Sequence, residues 1–193
     1  MTANPSLSGR TWPQVADRAD ATLLAVPLGA TEQHGPHLPL GTDTTVAAAL
    51  AGRLAAARDD VLVAPALPYG SSGEHAGFAG TLSIGAAALE LVVTELVRSA
   101  DAFGGVVLVS GHGGNARPLA AAVATLQAEG RRVLAWSPRV EGGDAHAGRT
   151  ETSMLLALDP TAVDGALARP GETRPLRELM PTLVSGGVAA VSP

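Results

Sequence analysis

The chain has 193 residues, a net charge of −5 and no cysteine, which excludes disulfides, zinc ribbons, iron–sulfur clusters and thiol nucleophiles and leaves His, Asp and Glu to hold any metal. Hydrophobic residues make up 46% and aromatics only 3%, enough for one domain whose core is built from Ala, Val and Leu. All 13 basic residues are arginine, scattered except for Arg131 and Arg132, so neither nucleic acid nor an anionic membrane is an expected partner. The N-terminus lacks the charged start, apolar run and cleavage site of a secretory signal, and no apolar stretch is long enough to span a bilayer, so a cytoplasmic location is expected.

In chain order, Leu23–Leu28 reads as a buried strand. A helix is expected over Thr45–Ala57, opened by Asp43 or Thr44, followed by a second strand over Val61–Ala64. Ala86–Phe103 carries Leu89, Val92, Val93, Leu96, Val97 and Ala100 on one helical face, with Gly104 and Gly105 as the stop. Val106–Ser110 reads as a third strand. Arg117–Ala128 reads as a helix with Asn115 as N-cap and Pro118 in its first turn. Val133–Ser137 reads as a fourth strand, and a last helix runs from Thr150 to Leu158. Asp164–Pro181, rich in charge and proline, is expected to cover the surface. Continuous apolar strands alternating with helices predict a three-layer α/β/α sandwich with a mostly parallel central sheet.

In such a sheet, ligand groups gather beyond the carboxyl ends of the strands, and that is where nearly all the histidine lies. Glu32 and His34, two residues apart in an extended segment, fall on one side, and Asp43 follows where a helix begins. Carboxylate plus imidazole suits zinc, iron or manganese, and the two oxygens of one Asp can bridge two metals. The competing reading makes Asp43 a helix cap and His34 and His37 surface residues. His112 sits between glycines in Ser110–Asn115, which permits close approach by a ligand. Glu151 suits either the dipole of its helix or a site. The Gly-rich loop from Pro68 to Thr81, with Ser72, Glu74 and His75, is a candidate substrate pocket. Without lysine there is no P-loop, and Ser110 is not flanked as a nucleophile elbow.

Four segments in order, PLGATEQHGPHLPLGTD (27–43), SSGEHAGFAGT (71–81), SGHGGN (110–115) and HAGRTETS (146–153), resemble the creatininase family. The resemblance implies a parallel-sheet sandwich, a centre of two divalent metals and hydrolysis of C–N amide bonds. Glu32 and His112 would bind one metal and His34 the other, with Asp43 between them; His146 matches the catalytic histidine. Gly113 and Gly114 are further candidates for the substrate pocket, where their backbone N–H groups would stabilise an oxyanion. In creatininase itself a glutamate occupies the position of Gly114, so the second metal needs another ligand, for which Glu151 or a water is the candidate. TEQHGPHLPLGTDT, GGDAHAGRTETS and GGVAAVSP resemble the branch that trims the C-terminal end of a modified ribosomal precursor peptide. The alternatives are an amidohydrolase or deformylase for a small cyclic amide or formamide, and a metal-stabilised binding protein without catalysis. The family also implies a homo-oligomer. Its members continue past the match to Val188–Pro193, so a single domain over 1–193 lacking the family's C-terminal segment is expected.

Overall fold

The apolar runs form β1 (Leu23–Leu28), β2 (Val61–Val63), β3 (Gly105–Ser110) and β4 (Val133–Trp136) in a computed structural model that describes residues 5–144, 146–172, 174 and 176–191. The strands pair in the order β2-β1-β3-β4, and every pairing is parallel. Leu23 stands opposite Val61 on one side and Gly105 on the other. The helices are α1 (Trp12–Ala16), α2 (Thr42–Ala57), α3 (Gly85–Arg98), α4 (Ala116–Ala128), α5 (Arg149–Leu158) and α6 (Leu176–Gly186).

Alternation along the strands sorts the core into two layers. Leu24, Val26 and Leu28 of β1 and Val106 and Leu108 of β3 face Leu89, Val93 and Val97 of α3 and Leu119, Ala122 and Leu126 of α4. Ala25 and Val109 face the other way, onto Leu50, Ala51 and Leu54 of α2. Val46 of α2 packs with Leu38 and with Leu155 of α5. The result is a three-layer α/β/α sandwich. Leu28, Leu89, Leu108, Leu119 and Leu126 are fully buried, and truncating any one to alanine costs about 2–5 kcal/mol.

From β1 the chain crosses by α2 to β2; from β2 it returns by α3, on the opposite face, to β3 beyond β1. The direction of winding thus reverses between β1 and β3, which opens a crevice at their carboxyl ends. The loops carrying Glu32 and His112 leave from those two ends.

Several elements differ from expectation. α2 starts at Thr42 with Gly41 at the N-cap, so Asp43 lies inside the first turn and is not the cap. α3 stops at Arg98 rather than Phe103, because Ala100 N–H bonds to Val97 O and Phe103 N–H to Ala100 O in successive turns. Asn115 makes no side-chain cap for α4; its amide is used elsewhere. The expected surface stretch includes the start of α6, which continues through Pro181. Ser192 and Pro193, in the GGVAAVSP match, and Ala145, in GGDAHAGRTETS, lie outside the described residues. Among the described residues no helix is long and apolar enough to cross a membrane.

Candidate metal centre

Three loops are tied together before any ligand is considered. Just past the exit of β1, Thr31 forms an isolated antiparallel bridge to Leu82, whose N–H donates to Thr31 O at 2.8 Å. A second bridge, His34 to Leu38, closes a tight bend with Gly35 at φ 65°. The Asn115 amide donates to Gly29 O and accepts from Ser71 N–H, both at 3.0 Å, joining the exits of β1 and β3 to the loop after β2. Gly111 lets the first turn of α2 lie against the exit of β3, since a Cβ there would run into the Asp43 carbonyl. These ties put Glu32, His34, Asp43 and His112 within reach of one another.

Asp43 presents one oxygen to each side: Oδ1 lies 3.2 Å from His34 Nε2, and Oδ2 lies 3.2 Å from His112 Nδ1. Glu32 Oε2 is 3.3 Å from His112 Nε2, and Glu32 Oε1 is 3.2 Å from His75 Nε2. Glu151 Oε2 stands 4.0 Å from His34 Nε2. Ligand atoms of Glu32, Asp43 and His112 fall within 4.8 Å of one another, as do those of His34, Asp43 and Glu151, and those of Glu32, His34 and His146. Both Glu32 oxygens and Asp43 Oδ2 are buried without an aligned hydrogen bond. Oxygens and nitrogens this close, yet not aimed at one another, converge on common points, and burying such carboxylates is costly unless a cation compensates. The donor set therefore fits divalent metals.

The electrostatics agree with that fit. Burial pushes Glu32 up to about 7, with the Asp43 charge adding to the rise and His112, Ser72 and His34 opposing it. For Asp43, burial is outweighed by polar contacts with His112 and His34, and its carboxyl is held down at about 2. Burial opposes charge on His34 and His112 too, but Asp43 pushes both up to about 9, helped by Glu151 for His34 and by Glu32 for His112. Burial, with cationic neighbours, pushes His75 down to about 3 and His146 down to about 4. Burial raises Glu151. Without metal, then, protons on His34 and His112 do part of the work of a cation.

Over residues 8–193 the chain matches the family described as Creatininase: Creatinine amidohydrolase. The chain belongs to the creatininase family. Membership makes it a metal-dependent amidohydrolase. The Mycofactocin precursor peptide peptidase of Mycolicibacterium smegmatis is 55% identical over 177 residues, 88% of this chain and 71% of that protein. A solved tryptophan-to-phenylalanine mutant creatininase superposes with a TM-score of 0.78 at 28% identity, over 97% of this chain and 87% of that one. Two further solved creatininases, one a manganese form and one a mutant of zinc–zinc type, align with a TM-score of 0.73 at 28% identity, over 89% of this chain and 80% of theirs.

Within this creatininase-family crevice the expected residues fall unevenly. Glu32, His34, Asp43 and His112 come together and are all buried. Glu151 approaches from α5, and its carboxylate accepts the N–H of Ala147, a residue held at φ 50°. His146 Nδ1 lies 3.8 Å from Glu32 Oε1. Ser72 and His75, read as pocket lining, are buried against Glu32 rather than facing open space. Glu74 is part exposed, with Oε1 3.8 Å from His112 Nε2. A Cβ at Gly114 would collide with His112 Nε2 and the Ser71 carbonyl and lie 2.7 Å from Glu74 Oε1, so neighbouring groups already fill that space; at Gly113 the space is open.

Two contributors escaped the sequence reading. His37 is buried, not a surface residue, and its Nε2 meets Thr152 Oγ1 at 2.9 Å, pinning the residue after Glu151. Gln33 contacts both His75 and His146. Its position between two candidate ligands was the one available signal.

Proposed function

We infer that this chain is a single-domain, two-metal peptidase that cleaves the modified mycofactocin precursor peptide near its C-terminus. The observation that carries the reading is Asp43, whose two oxygens face His34 and His112 at 3.2 Å each, the disposition of a shared carboxylate. The peptide substrate is supported by 55% identity to a protein of that name. Glu32, Asp43 and His112 would hold one divalent metal, and His34, Asp43 and Glu151 the second. Zinc or manganese is supported by the solved creatininases, and iron suits the same donors. When bound, such a pair polarises an amide carbonyl and makes water a better nucleophile near neutral pH.

The chain's own groups supply the rest. Burial keeps His146 uncharged, so its free nitrogen can take a proton from the attacking water and return it to the departing amine. The buried His75 and Ser72 lie close to Glu32, His75 Nε2 at 3.2 Å from its Oε1. A cytoplasmic setting fits the cysteine-free composition. Leu134 and Trp136 are exposed on β4, an edge strand among the described residues, and support a homo-oligomer, which sedimentation would test.

The deciding experiment incubates metal-loaded protein with the modified precursor peptide and follows masses, beside a His34→Ala control. Release of a C-terminal fragment by the unaltered protein alone is expected. A folded, metal-bearing protein that leaves the peptide whole would overturn the assignment. His146→Ala should keep its metal and lose about 10²–10⁴-fold in turnover; loss of metal would make His146 a ligand through the group it forms with Glu32 and His34.

A further inference from the structure

Gln33 is partly buried between Glu32 and His34, and its shortest contacts fix how its amide is oriented. Its Oε1 lies 2.8 Å from the N–H of Gly35. A backbone N–H only donates, so the amide oxygen is fixed at that end and the amide nitrogen at the other. That nitrogen is 3.0 Å from His75 Nδ1, which must therefore accept. His75 then carries its proton on Nε2, the ring nitrogen that stands 3.2 Å from Glu32 Oε1.

The backbone of the same residue acts on the second ring. Gln33 O lies 2.8 Å from His146 Nε2, and a carbonyl only accepts, so Nε2 carries the proton. The Gln33 amide nitrogen is 3.3 Å from that same Nε2. Were Nε2 the acceptor of that longer contact, its lone pair would face the carbonyl at the shorter one. The lone pair of His146 is thus on Nδ1, the atom 3.8 Å from Glu32 Oε1.

We propose that Gln33 is a positioning residue: its side-chain amide sets the tautomer of His75, placing the ring's N–H beside Glu32, while its carbonyl sets that of His146, turning Nδ1 to the substrate. The part concerning His146 and substrate rests on the peptidase reading; the tautomers do not. Groups hydrogen-bonded behind ligands in this way orient them and tune their basicity.

The test is nitrogen-15 NMR of histidine-labelled, zinc-loaded protein, where the chain's five histidines can be assigned by single substitution. Both His75 and His146 are expected as Nε2–H tautomers. In Gln33→Glu an acceptor replaces the donor facing His75, so His75 should switch to Nδ1–H while His146, held by a backbone carbonyl, stays unchanged. A folded Gln33→Glu protein with His75 unchanged would overturn the proposal. Should the added charge prevent folding, Gln33→Met removes the donor without adding one, and His75 should then populate both tautomers; a single retained Nε2–H form would again overturn it. In the cleavage assay kcat should fall about 10–100-fold with KM little changed. If the peptide is not the substrate, only this last arm fails and the tautomer result stands.

Discussion

The two sides of the candidate centre are built differently. Glu32 and His112 leave the ends of β1 and β3, neighbours in the middle of the sheet, and both are buried. Glu151 stands on the first turn of α5, with 22% of its side chain exposed, and reaches His34 only because several weaker ties hold that turn. Asp144 accepts from the N–H groups of Arg149 and Thr150, Glu151 accepts from Ala147, and Thr152 meets His37. One side is fixed by strand pairing, the other by side chains at a helix end. The first should bind metal more tightly and the second should exchange it more readily, since local stability follows the density of buried contacts.

The strongest way to break this contrast is Asp43→Ala, which removes the residue common to both sides. Metal analysis should find both ions lost and peptide cleavage down by about 10³-fold or more; retention of either ion at full occupancy would mean that the sides are independent. Glu151→Ala should instead halve the metal content and cost about 10–100-fold in activity, leaving the Glu32 side loaded. Loss of both ions from that variant would show the two sides to be one cooperative unit.

The pH dependence of the metal-free protein sharpens the comparison further. Raised values for Glu32, from 4.5 to about 7, and for His34 and His112, from 6.5 to about 9, mean that the folded state holds these protons more tightly than the unfolded chain. The stability they confer is present below the unfolded values and is lost as pH rises through the folded ones. Asp43, depressed from 3.8 to about 2, works oppositely and matters only on strong acidification. Melting of chelator-treated protein should therefore weaken from about pH 6 to 9, while metal-loaded protein gains over the same range because metal replaces the protons. Parallel curves would refute metal binding by these histidines. The smallest effect belongs to Thr152→Val, which removes the contact with His37. About 1 kcal/mol should be lost, seen as earlier release of the second ion in a chelator titration with the first unaffected.

The strands were legible because uninterrupted apolar runs between glycines and helices leave few other solutions, and Leu23–Leu28 was read to the residue. The gathering of Glu32, His34, Asp43 and His112 was legible because Glu and His are concentrated just after such runs. What escaped depended on distant partners. Asn115 looks like a helix cap from its neighbours, yet its amide bonds to Gly29, 86 residues away. The roles of Gln33 and His37 rest on residues 42 and 115 positions further along the chain. α6 was hidden by Pro181, which breaks the helical pattern in sequence but not in the fold.

The division between the sides also has a direction in time. Glu32, Asp43 and His112 all precede α4, so their half of the centre can close once β3 has paired with β1, whereas the other half waits for Glu151. Because a chain is made from its N-terminus, the residues of the sheet-borne half are all synthesised before Glu151, the residue that finishes its neighbour.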